Sequence, residues 1–251
     1  MPQDKPRNHL RLTGLAVLTA ALLAFPATAS LEPAHTDRRL IDGFMKTVFG
    51  SENWRVSRAA RERISKFTEP VRVHVTNLSR TNRDVDVRTF VGDVNRRIKG
   101  LSISVTAQPR SANFFVFVVD RANYRSAIRE VLPDIRTGFL ERSACSGIAF
   151  LRHDGAIEQS MAFIVADEGG SFFRHCMIEE ILQGLGPSND HRSLTHSIFN
   201  DRNSIADFTA FDDYILNMLY DPRVKAGMDR KTVKQVLPVI VQDVKARRGA
   251  S

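Results

Sequence analysis

Cys176–His191 reads CMIEEILQGLGPSNDH, and the frame inside it is E-E-x-x-Q-x-x-G-x-x-N. On a helix, side chains four positions apart share a face, so Glu179 and Gln183 project together. Gly186 and Pro187 then end the helix, and the chain can turn back to carry Asn189 toward the same point. A helix, a glycine turn and a returning polar residue form the plan of a site, whatever its chemistry.

Upstream of this stretch the apolar pattern alternates between helical and strand periods. Leu40, Ile41, Phe44 and Val48 fall at helical spacing and predict an amphipathic helix over residues 36–50. A second short helix is expected through Ser57–Phe67, with Ile64 and Phe67 on its apolar side. After Pro70, Val71, Val73 and Val75 alternate with polar residues, as in a strand with one buried face. Val87, Phe90, Val91, Val94 and Ile98 restore the helical period, with Gly100 placed as a left-handed cap. Leu101, Ile103 and Val105 predict another strand, and the continuously apolar NFFVFVVD (113–120) suits a strand covered on both faces. A helix over Asn123–Leu132 is stopped by Pro133. Asp154-Gly155 between GIAFLR and AIEQSMAFIVA signals a hairpin. The expected class is α+β, a mixed sheet with packed helices.

The frame resembles the H-E-x-x-H-x-x-G-x-x-H signature of metzincin zinc peptidases, with Glu179, Gln183 and Asn189 where the zinc histidines stand. Glu180 takes the position of the general base that deprotonates zinc-bound water. SIFN (Ser197–Asn200) looks like the Met-turn, with Phe199 at the methionine position. FDDYILNMLY (Phe211–Tyr220) looks like the closing helix, and Thr209 with Asp212 supplies its N-cap. Together with the two cysteines and LYDPRVKAGM (Leu219–Met228), these motifs resemble a family of exported bacterial proteins of unknown function, DUF2927, over about Thr36–Met228. That resemblance implies export, a disulfide and a single domain, but no reaction. The fold expected from both likenesses is zincin-like, with a lead at 36–67, a core at 70–228 and a C-terminal helix at 230–248.

The substitutions decide the chemistry. Zinc sites draw on histidine and cysteine, whereas a carboxylate with two amides offers oxygen donors that suit calcium or magnesium better. No metal or other cofactor is expected. A zinc or calcium site is the alternative, held by Glu179, Gln183, Asn189 and Asp190. Without metal, Glu179, Gln183 and Asn189 are expected to satisfy one another through hydrogen bonds. Glu180 is then a helix-face carboxylate or an anchor for a ligand. His175, His191 and His196 read as surface histidines.

The N-terminus carries Lys5, Arg7 and Arg11 before the apolar LTGLAVLTAALLAF, and Ala27-Thr28-Ala29 matches a cleavage signal. Residues 1–29 are read as a signal peptide, cut at Ala29/Ser30, and no later run is long and apolar enough to span a bilayer. The domain is then exported, periplasmic or secreted. In an oxidising compartment Cys145 and Cys176 are a disulfide candidate; two buried free thiols are the alternative. Removing Lys5, Arg7 and Arg11 with Asp4 lowers the formal charge from +8 to +6. The arginines are scattered and only one tryptophan and three tyrosines are available for stacking, so nucleic acid is not an expected partner.

There is no G-x-S-x-G, no P-loop and no dinucleotide fingerprint. Glu179 and Glu180 diverge by about 100 degrees on a helix, which argues against a glycosidase carboxylate pair. The expected function is a non-catalytic binding module for a peptide, a glycan or an envelope partner. The alternatives are an atypical hydrolase with Glu180 as general base and an envelope structural protein.

Overall fold

The computed structural model describes residues 1, 35–50, 57–133, 138, 140, 143–200 and 202–249. The expected signal segment and its cleavage point lie outside them. No helix among the described residues is long and apolar enough to cross a membrane.

Five strands form one sheet: β1 (Val71–Asn77), β2 (Ile103–Val105), β3 (Phe114–Val119), β4 (Ser146–Leu151) and β5 (Ile157–Val165). Their order is β2-β1-β3-β5-β4. All neighbouring pairs are parallel except β4 with β5, which are the two arms of the hairpin turned at Gly155 (φ +85°). The antiparallel strand is therefore also an edge strand. Central β3 is apolar throughout because both of its faces are covered, as parallel strands require.

One sheet face carries Val73, Phe114, Val116, Ala162 and Ile164 into the main core, and the other carries Val119, Phe163 and Val165 into a second cluster. The helices are α1 (Asp37–Thr47), α2 (Arg58–Arg61), α3 (Asp84–Arg97), α4 (Tyr124–Val131), α5 (Gly170–Gln183), α6 (Ala210–Leu219) and α7 (Arg230–Gly249). Tyr124, Ala127 and Ile128 of α4 close the second cluster, while α5 packs on β5 and β4. Along that contact β4 and β5 present Gly147, Ala149, Ser160 and Ala162 on one face, as their register requires. Small side chains there make a shallow trough that lets the helix approach. At its end, a Cβ on Gly184 would stand 2.4 Å from Phe114 Cζ.

Two expectations need correction. The helix foreseen over Ser57–Phe67 is only α2. From Arg63 onward the chain is extended and makes isolated bridges to Asp229 and Ala156. Ile64 and Phe67 are buried as expected, but through these pairings and not through a helical face. Within this segment Lys66 donates to the carbonyls of Leu219 and Val224, both at 2.8 Å, and burial lowers its pKa to about 8. Gly100 does adopt positive φ, at +82°, yet α3 has already ended at Arg97 and Ile98 is extended. The glycine is needed for close approach, since a Cβ would stand 2.4 Å from the carbonyl oxygen of Tyr220.

Candidate functional site

Cys145 and Cys176 are bridged, with Cα atoms 5.9 Å apart. Cys176 and Glu180 are four apart on α5, and Cys145, just before β4, is two residues from Gly147, so two successive turns of the helix meet this end of the strand. The bridge fixes the first turn. At the second, the missing side chain of Gly147 makes room for Glu180, whose Oε2 would lie 3.0 Å from a Cβ there.

A cavity of about 300 Å³ opens beside this contact. Cys145 through Ala149 line it consecutively. Successive strand residues point to opposite faces, so a run without gaps means that the backbone edge of β4 forms the wall. Glu180, Gln183 and Gly184 from the end of α5 also line it, as do Gly50, Ser65 and Ser188. The lining is tight where Gly186 (φ +136°) passes Ser65, whose carbonyl oxygen would meet a Cβ at 2.4 Å. The hydroxyl of Tyr220 donates to the carbonyl of Leu185 at 2.8 Å and ties the glycine turn to α6.

The residues expected to converge do so only in part. Gln183 Nε2 donates to Asp190 Oδ1 at 2.9 Å, joining the helix to the returning chain. Asn189 Nδ2 instead donates to the carbonyl of Lys46 on α1 at 2.7 Å. Glu179 is not among the residues lining the cavity and pairs with His175, its Oε2 3.2 Å from Nε2. The single network foreseen for Glu179, Gln183 and Asn189 is therefore divided among three neighbours, because each polar group meets a nearer partner from α1, α5 or the turn.

His175 is likewise not a surface histidine. It is half-buried, and its Nδ1 lies 2.5 Å from the carbonyl of Ile205. With an acceptor at each ring nitrogen, the doubly protonated imidazole is the satisfied form. The Glu179 hydrogen bond raises the His175 pKa, the Ile205 carbonyl adds to this, and burial opposes both. A raised histidine pKa contributes stability that is complete below the unfolded value of about 6.5 and is lost as pH rises through the folded value. Urea unfolding should therefore show stability falling from pH 6 to above neutrality, with a flatter profile for His175→Gln; identical profiles would refute the coupling.

His191 accepts the Ser193 hydroxyl at its Nδ1, 2.8 Å away, within a local turn, and His196 is exposed. Phe199 is fully buried, and its carbonyl accepts from the backbone of His191 at 3.0 Å, which steadies the chain just after Asn189 and Asp190. Beneath it Asp212 accepts from Ser197 Oγ at 2.6 Å and from Thr209 Oγ1 at 2.7 Å. The expected N-cap is thus a full capping box.

Glu179 is held by His175, whose other ring nitrogen faces the carbonyl of Ile205, and Gln183 and Asn189 present amide groups engaged elsewhere; this set does not fit zinc. One atom each of Cys145, Glu179 and Glu180 lie within 4.8 Å of one another. The bridged sulfur, however, cannot supply a thiolate, and two carboxylates remain.

A family model described as a protein of unknown function (DUF2927) matches residues 37–239. The chain belongs to that family. The match runs from α1 into α7 and so takes in the sheet, the bridge and the cavity. No curated protein and no solved structure matches this DUF2927 chain. Sequence reading had not singled out Gly147 or the β4 edge, although a glycine inside an apolar strand is a signal of close backbone approach.

Proposed function

We propose that the chain is an exported, non-catalytic binding module that takes an extended peptide segment in the cavity between the β4 edge and the end of α5. The observation that carries this reading is the edge itself. β4 ends the sheet, so among the described residues its outer backbone groups pair with no strand, and Ser146–Ala149 line a cavity. Main-chain hydrogen bonding to such an edge favours an extended peptide over a glycan. A disulfide supports export, because such bridges persist in oxidising compartments. The zincin-like relationship belongs to the same proposal. Its support is the helix ending in a glycine turn, the buried Ser197–Asn200 turn and α6 behind it.

The second reading, a hydrolase with Glu180 as base, is favoured by one observation: Glu180 lines the cavity while Glu179 does not. The test starts from peptides selected against the protein by display. Amide exchange in Ser146–Leu151 should slow when a selected extended peptide is added, with no cleavage of the peptide. Protection confined to another surface would overturn the proposal. Cleavage abolished by Glu180→Gln would move the assignment to the hydrolase. Elemental analysis of protein purified without chelators adds an independent check, since stoichiometric zinc would contradict the metal-free reading.

A further inference from the structure

Around the Cys145–Cys176 bridge the chain gathers donors that the bridged state cannot use together. On α5, Glu179 and Glu180 follow Cys176 at three and four positions, so the three side chains are helical neighbours. Cys145 reaches them from just before β4, its Cα 5.9 Å from that of Cys176. A carboxylate oxygen from each glutamate and the Cys145 sulfur already lie within 4.8 Å of one another. Ligands of one tetrahedral zinc, at bond lengths of ~2.0–2.3 Å, stand about 3.3–3.8 Å apart, so closing the set on an ion takes movements of roughly 1–1.5 Å. Rotation of the glutamate side chains supplies movements of that size.

Opening the bridge completes the donor set. A dithiol gives two electrons and two protons: its own S–S bond forms, the Cys145–Cys176 bond breaks, and both cysteines become thiols. Cys145 lines the cavity whereas Cys176 is fully buried, so the attacking thiolate meets the Cys145 sulfur and the Cys176 sulfur leaves. An ion entering by the same cavity displaces the thiol protons to solvent and gains two soft thiolate ligands, which favour zinc over calcium or magnesium. The carboxylates join without giving up their present contacts, because each offers about four acceptor positions. Glu179 stays paired with His175, the kind of partner that orients a ligating carboxylate, and Glu180 keeps its interaction within the chain.

We propose that the reduced chain binds one zinc ion through Cys145, Cys176, Glu179 and Glu180, so that the bridge and the ion are alternative cross-links between α5 and the residue preceding β4. The state that takes the ion is the chain before its bridge forms, or after a dithiol has opened it. The bridged chain stays metal-free, and the peptide reading of the cavity does not depend on this site.

Protein reduced with dithiothreitol and freed of it without oxygen should bind zinc roughly a hundredfold or more tightly than the bridged protein, in competition with a chromophoric chelator. Cobalt in place of zinc should give a thiolate charge-transfer band. Zinc should also raise the thermal midpoint of the reduced protein by roughly 5–10 °C at a hundredfold excess over Kd. The double variant Cys145→Ser, Cys176→Ser lacks the bridge too and should show no such rise. Glu179→Gln and Glu180→Gln should each weaken zinc binding by the reduced protein about tenfold or more. Equal binding by reduced and bridged protein, or no zinc-dependent stabilisation of the reduced protein, would overturn the proposal. Affinity unchanged in both glutamate variants would overturn it as well, since the two thiols alone would then account for the ion. A reduced chain that unfolds should refold when zinc is added; one that stays unfolded would count equally against the site.

Discussion

Replacing Asp212 by alanine is expected to lower the unfolding free energy by about 3–5 kcal/mol, the scale of leaving several buried donors without an acceptor. Asp212 is fully buried and receives the hydroxyls of Ser197 and Thr209 and the backbone N–H groups of Ile198 and Thr209. It thereby joins the Ser197–Asn200 turn to the first turn of α6. The midpoint of thermal unfolding should fall by roughly 6–20 °C, at about 2–4 °C per kcal/mol for a domain of this size. Asn at this position retains one acceptor oxygen but turns an amide toward donors, so it should recover only part of the loss. Burial, against these hydrogen bonds, pushes the Asp212 pKa up to about 6. For an acid raised in the folded state, the stabilising contribution is present below the unfolded value of about 3.9 and declines as pH rises to about 6. The difference between wild type and Asp212→Asn should therefore change across that window. A thermal midpoint within 2 °C of wild type for Asp212→Ala would overturn the assignment.

Opening the Cys145–Cys176 bridge is the second large effect. The cysteines are 31 residues apart, and closing a loop of that length is worth about 3–4 kcal/mol in the chain-entropy model. Reductant, or the double substitution of both cysteines by serine, should lower the thermal midpoint by roughly 6–16 °C. The loss has a location as well as a size. Cys145 immediately precedes β4, an edge strand held on one side only, so amide exchange should accelerate most in Ser146–Leu151. Uniform acceleration across the sheet would show that the bridge stabilises the whole domain without specifically holding the cavity wall.

The local elements were legible because periodicity reports burial directly. Alternation at Val71–Val75 gave β1, the continuously apolar Phe114–Val119 gave a central strand, and Asp154-Gly155 gave the hairpin. The helix through Glu179, Glu180 and Gln183, and the closing helix with its N-cap at Thr209 and Asp212, followed from the metzincin-like frame. Ser57–Phe67 was misread as largely helical because Ile64 and Phe67 fit a helical face, while the bridges that hold that segment extended come from Asp229 and Ala156, remote in sequence.

The sequence by itself determined the elements, the closing turn after α5 and the departure from zinc-binding residue types, since all of these depend on neighbours within a few positions. Only the tertiary structure decided which polar group meets which. Helical spacing placed Glu179 and Gln183 on one face, but Glu179 found His175, Gln183 found Asp190 and Asn189 found the carbonyl of Lys46. Hydrogen bonds act over about 3 Å, and which donor comes that close depends on how α1, α5 and the β4 edge pack. The same packing leaves Glu180, beside Gly147, as the carboxylate among the described residues lining the cavity.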